Sequence, residues 1–236
     1  MQLVLDGITK SFEKKQVLKN VNFTFEKGKI YGLLGRNGAG KTTLFNCLSG
    51  ELNVDSGSAY IMTNTQRRPT GQQDFGYVFS TPILPEFLTG YEFLKFYMDI
   101  NKSRIDPGQS IDDYFKLIEI DRSDRHRLIK GYSHGMKNKI QMLCVIISRP
   151  PIILLDEPLT SLDVVVALEM KKLLRDIKQN HIILFSTHIL QLATDLCDEI
   201  VILNDGYLEE VDHTVIGSQQ FENKIISLLK DENKND

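Results

Sequence analysis

The chain has 236 residues, a formal net charge of -3, and 42% hydrophobic residues. That is enough apolar material for a sizeable core in one large domain or two small lobes. The charge balance leaves no basic footprint for nucleic acid, and no apolar run approaches the ~20 residues of a membrane span.

Three cysteines, Cys47, Cys144 and Cys197, form no C-x-x-C pair and fit a reduced, cytosolic setting better than a disulfide framework. The opening stretch, MQLVLDGITKSFEKK, is too charged for a secretory leader. The chain is therefore expected to be soluble by itself, which leaves docking onto a membrane protein open.

Strands come first. QLVLDGI and VNFTFEKG are short and bounded by Gly and Lys, and KIYGLLG is continuously apolar, the pattern of a strand buried on both faces. GSAYIM and DFGYVFS are further strand candidates. From about residue 82 to 150 the pattern turns helical, in GYEFLKFYMDI, SIDDYFKLIEI and MKNKIQMLCVIIS. Alternation of strand and helix returns with IILLD, VVVALEMKKLLRDIKQ, HIILFS and ILQLATDLC. DEIVILNDGYLEEV reads as a hairpin turning at Asp-Gly. Such alternation predicts an α/β fold with a mostly parallel sheet and right-handed crossovers. One domain is expected over 1–215, with a helical lobe inserted at about 82–150. Residues 216–236 read as an amphipathic helix fading into a polar tail.

Two motifs carry chemistry. GRNGAGKT, Gly35 to Thr42, fits G-x-x-x-x-G-K-[ST] between an apolar strand and a helix. Its glycines, Gly35, Gly38 and Gly40, let the backbone curl around one anion, with Arg36, Asn37 and Ala39 between them. The helix N-terminus adds partial positive charge. Lys41 is placed to reach the β- and γ-phosphates, Thr42 to offer its hydroxyl to Mg²⁺, and Thr43 to hold the α-phosphate. IILLDEP sets Asp156 and Glu157 at the end of a buried strand, and in a parallel sheet that end faces the ligand crevice. Asp156 suits Mg²⁺, and Glu157 suits polarising an attacking water.

With these motifs in this order, the chain resembles the nucleotide-binding subunits of ATP-binding cassette (ABC) transporters over nearly its full length. GYVFS lies at the family's Q-loop, YSHGM at its LSGGQ signature, LTSLD at its D-loop and STH at its switch-histidine segment. The resemblance implies a P-loop NTPase core, an N-terminal antiparallel β subdomain and an inserted helical subdomain. It implies that Phe12 stacks on adenine, that His188 senses the γ-phosphate and that Asp163 reaches toward a partner cassette. It also makes Ser133, His134, Gly135 and Met136 half of an ATP site, closing over nucleotide held by a second cassette in a homodimer or heterodimer. From its residues alone, the same turn is a helix cap at Ser133.

Two motifs depart from the family pattern, the signature and the Q-loop. His134 and Met136 replace the first glycine and the glutamine of the signature, and Met136 cannot complete a capping box. Ser80 stands where the Q-loop glutamine belongs and is too short to replace it except through a water. With STHIL and CDEIVILNDG, these departures resemble the Ecs-type, ABC-2-like branch of bacterial exporters.

The function implied is ATP binding and Mg²⁺-dependent hydrolysis that powers transport, in the export direction, through separate integral membrane subunits. The protein would sit on the inner face of the cell membrane. Two alternatives stay open: an ATP-binding switch with little hydrolysis, and a non-transport ABC ATPase. Members of the second kind usually carry long coiled coils or two cassettes in one chain, and this sequence has neither.

Overall fold

The computed structural model describes residues 1–159 and 164–211. Asp163 and the expected tail helix at 216–236 lie outside the described residues.

Two antiparallel strands open the chain, β1 (Gln2–Phe12) and β2 (Lys15–Glu26). With β4 (Ser56–Met62) and β5 (Arg67–Pro69) they form a four-stranded antiparallel sheet in the order β2-β1-β4-β5. The second sheet takes β3 (Ile30–Leu34), β6 (Phe75–Val78), β7 (Ile152–Asp156), β8 (Ile182–Thr187), β9 (Glu199–Asn204) and β10 (Tyr207–Glu210). Its order is β10-β9-β3-β8-β7-β6, parallel except for the β9–β10 hairpin. That hairpin turns at Asp205-Gly206, as the Asp-Gly signal predicts. β3, β7 and β8 are buried at every position, which is why they read as unbroken apolar runs.

Successive residues on these strands feed different cores. Leu154, Leu184 and Leu33 face the antiparallel sheet and α1 (Lys41–Ser49), packing with Leu3, Phe25 and Phe45. Ile153, Leu155, Ile183 and Phe185 face the other way, toward α6 (Val164–Ile177) and α7 (Leu190–Leu196). The parallel sheet is thus covered on both sides, as a doubly wound arrangement requires.

Between β6 and β7 lies the helical insertion: α2 (Gly90–Ile100), α3 (Ile111–Leu117), α4 (Arg122–Arg125) and α5 (His134–Ser148). It has its own apolar cluster around Leu94, Phe115, Ile129 and Tyr132. Helix α5 belongs to both bodies. Its Ile140, Leu143 and Ile147 join the lobe cluster, while Met142 and Val145 join the sheet. One polar contact reinforces this junction. The buried Gln141 carboxamide accepts from the Phe79 amide at 3.4 Å and donates to the Phe79 carbonyl at 3.3 Å. It pairs with the backbone just beyond β6 as a neighbouring strand would.

Candidate functional site

The site grows from three strand ends that are adjacent in the sheet. β3 runs into the glycine loop, β7 ends in Asp156, and β8 between them ends in Thr187. Ligands in open α/β sheets bind outside such carboxyl ends.

Glycine is required at position 40. It precedes α1 with φ +107°, and an added Cβ would stand 2.8 Å from a Val17 methyl. No side chain caps α1 there, whereas Thr89, Ser110 and Ser133 cap α2, α3 and α5. The first amides of α1 are left for a ligand, as anion-binding helix starts require. Lys41 lies buried beneath the loop. Its ammonium donates to the carbonyls of Gly35 at 2.8 Å and Arg36 at 3.0 Å and stands 3.5 Å from the Glu157 carboxylate. Burial pulls the Lys41 pKa below the usual lysine range, and Glu157 partly offsets this.

The carboxylates are drawn into the same network. Thr42 Oγ1 donates to Asp156 Oδ2 at 2.7 Å. Ser186 Oγ donates to Asp156 Oδ1 at 2.7 Å and accepts from the Glu157 amide at 2.9 Å. Glu157 has φ +48°, a left-handed conformation that costs a non-glycine residue about 1 kcal/mol. Its side chain meets His188 Nδ1 at 3.1 Å.

Phe12, at the end of β1, is 43% exposed and lines the cleft that also takes in Asn37, Gly38, Lys41, Thr43 and Glu157. Among the described residues of that cleft none comes from the turn 132–136. That turn lies on the helical lobe. Ser133 caps α5, its Oγ accepting from the Met136 amide at 3.2 Å, and Ser133 and His134 are exposed. Buried Tyr132 anchors it, donating its hydroxyl to the Asp124 carbonyl at 2.9 Å. Ser80 is exposed, one residue past the Phe79 backbone that Gln141 holds.

The structure thus brings together Phe12, the loop 35–43, Asp156, Glu157 and His188, and sets 133–136 apart. Sequence reasoning missed Ser186 and Gln141. Ser186 was legible only as part of STH, and Gln141 only as part of a helix.

The donor set suits a small hard cation. The Thr42 hydroxyl and an Asp156 oxygen are adjacent and both are oxygen ligands. Among the described residues no group of three His, Cys, Asp or Glu side chains could hold a metal alone. Mg²⁺ usually takes one or two carboxylates and completes its shell with phosphate and water.

This strand–loop–helix, with a carboxylate strand one place removed in the sheet, is a P-loop NTPase core. The family model described as ABC transporter matches residues 18–160, and the chain belongs to that family as an ATP-binding subunit. It is similar to the ABC transporter ATP-binding protein YxlF of Bacillus subtilis (strain 168), 30% identical over 86% of this chain and 68% of that protein. A solved ATP-binding subunit of an ABC transporter superposes with TM-score 0.77 at 25% identity, covering 97% of this chain and 99% of that one. The ATP-binding cassette MJ0796, solved as a dimer in a post-hydrolysis state with ADP and Pi, shares the fold with TM-score 0.72 at 21% identity over 89% and 99% of the two chains. No described helix is long and apolar enough to cross a membrane.

Proposed function

We propose that the protein hydrolyses MgATP between two cassettes and uses closure and reopening of that dimer to drive export through separate membrane subunits. The observation that carries the reading is the meeting of the phosphate loop with two carboxylate residues, at the Thr42–Asp156 contact of 2.7 Å. The loop amides and Lys41 bind the phosphates, with Thr43 on the α-phosphate and Phe12 against adenine. Thr42 and Asp156 hold Mg²⁺, which when bound neutralises phosphate charge. Glu157 takes a proton from the water whose oxygen bonds to the γ-phosphorus while the bond to the β-phosphate oxygen breaks. His188, already against Glu157, orients that carboxylate and contacts the γ-phosphate. Ser133 and Gly135 of a second cassette, flanked by His134 and Met136, close over the nucleotide, and Asp163 approaches the partner's loop.

The membrane subunit is assigned to the groove between β6 and the helical lobe, lined by apolar Ile83, Leu84 and Phe93 and by polar Arg104 and Gln141. Ile83 of this groove is 71% exposed, and Phe87, before α2, is 78% exposed; exposed large apolar side chains of this kind suit a docking partner. Through this contact the protein is held at the inner face of the membrane.

Phosphate release from ATP by the purified protein, compared with Glu157→Gln, tests the reaction. Release by the parent and none by the variant is expected. ATP binding without release by either would favour a nucleotide switch, the reading to which Ser80, His134 and Met136 point.

A further inference from the structure

We infer that Ser186 is a positioning residue for hydrolysis, holding Asp156 and Glu157 in their working arrangement through a single hydroxyl. The inference rests on the roles proposed above for those two carboxylates.

Ser186 is fully buried, 0% exposed, and stands directly opposite Asp156 in the parallel β7–β8 register. A serine hydroxyl has one proton to give. The amide of Glu157 can only donate, so Ser186 Oγ accepts that bond at 2.9 Å. The hydroxyl proton is then committed to Asp156 Oδ1, 2.7 Å away. The direction of both bonds is fixed by chemistry.

Each bond has a separate consequence. Asp156 is held at both oxygens, Oδ1 by Ser186 and Oδ2 by Thr42. Thr42 is itself a proposed metal ligand, so Ser186 is the donor on Asp156 that lies outside the proposed ligand set, and it keeps the carboxylate from rotating. The second bond acts on Glu157 through its backbone. Glu157 sits at φ +48°, an uncommon conformation for a non-glycine residue, and the Ser186 hydroxyl bonds its amide there. That conformation delivers its side chain to His188 and Lys41. Loss of the hydroxyl therefore disturbs the metal ligand and the base together, without touching a residue that contacts nucleotide.

The test is Ser186→Ala, with Ser186→Thr as the variant that keeps the hydroxyl. Three quantities are read: kcat, the Mg²⁺ midpoint for binding a fluorescent ATP analogue, and the melting temperature. Ser186→Ala is expected to lower kcat about 10- to 100-fold, the range for a hydrogen bond to a charged group. It should raise the Mg²⁺ midpoint and leave metal-free nucleotide affinity within about threefold. Ser186→Thr should recover most of kcat. Wild-type kcat and Mg²⁺ midpoint in folded Ser186→Ala would overturn the inference, whatever its melting temperature. Should the threonine methyl not fit the core, Ser186→Cys, a weak donor, should fall between serine and alanine. Glu157→Gln, assayed alongside, separates the two ideas. Full turnover in Glu157→Gln removes the proposed base, and the Mg²⁺ midpoint of Ser186→Ala still reads the Asp156 bond.

Discussion

The Thr42 hydroxyl donates to Asp156 Oδ2 over 2.7 Å, joining positions 114 apart in the chain. It places the first residues of α1 against the end of β7 before any ligand arrives. Thr42→Ala should remove one oxygen ligand and weaken Mg²⁺-dependent nucleotide binding. Titration of Mg²⁺ against a fluorescent ATP analogue should show the midpoint rising about tenfold, the value of one charge-assisted bond. Binding without Mg²⁺ should change little.

Lys41 is held on the carbonyls of its own loop, so nucleotide must draw its three donors away. Lys41→Ala removes the buried cation of the loop and should weaken ATP binding about 100-fold. Calorimetric titration measures this directly. Retention of parental affinity would show that the loop amides suffice.

Glu157→Gln keeps the shape of the side chain and removes its basicity. Turnover should fall at least ~100-fold, the usual contribution of a general base, with ATP still bound. Because the turn 133–136 contributes nothing to its own chain's cleft, bound ATP should recruit a second cassette. The solution mass of this variant should double on adding MgATP. A mass that stays monomeric with ATP bound would mean that the YSHGM turn needs a different cassette or the membrane subunit.

Gly90 opens α2 directly against Tyr132. A Cβ there would stand 2.1 Å from the Tyr132 hydroxyl, which bonds the Asp124 carbonyl. Gly90→Ala should overpack this contact and destabilise the lobe by about 1–3 kcal/mol. Denaturant unfolding gives the number.

Asp74 sits at the entry to β6, bonded to both terminal nitrogens of Arg68 and to the Gly71 amide. The Arg68 contact, more than the backbone one, holds its pKa below the usual 3.8. The folded protein therefore takes up this proton at lower pH than the unfolded chain. The stabilisation is complete above pH 3.8 and fades as pH falls through the lower folded value. Asp74→Asn should lower stability at neutral pH, and the gap from the parent should narrow as the solution is acidified below that point.

Much of this molecule can be read from local pattern. β3, β7 and β8 announce themselves because both faces are covered, and the Asp205-Gly206 turn by its chemistry. The phosphate loop is equally plain, since its function depends on contiguous residues. β5 is not legible: Arg67, Arg68 and Pro69 are exposed and carry no alternation, and Pro is tolerated because the strand lies at an edge. The first helix of the lobe starts at Gly90 because Thr89 supplies the cap, with Glu92 completing the box. Ser186 and Gln141 escape for another reason. Their partners, Asp156 and Phe79, lie 30 and 62 positions away, and only strand register and helix packing bring them together.

Gln141 has a mechanical meaning for the cassette. By bonding both backbone groups of Phe79, it ties the middle of α5 to the chain leaving β6. Ser133 caps the start of that helix, and Ser80 follows the tied residue directly. One carboxamide of α5 therefore ties the helical lobe to the backbone beside Ser80.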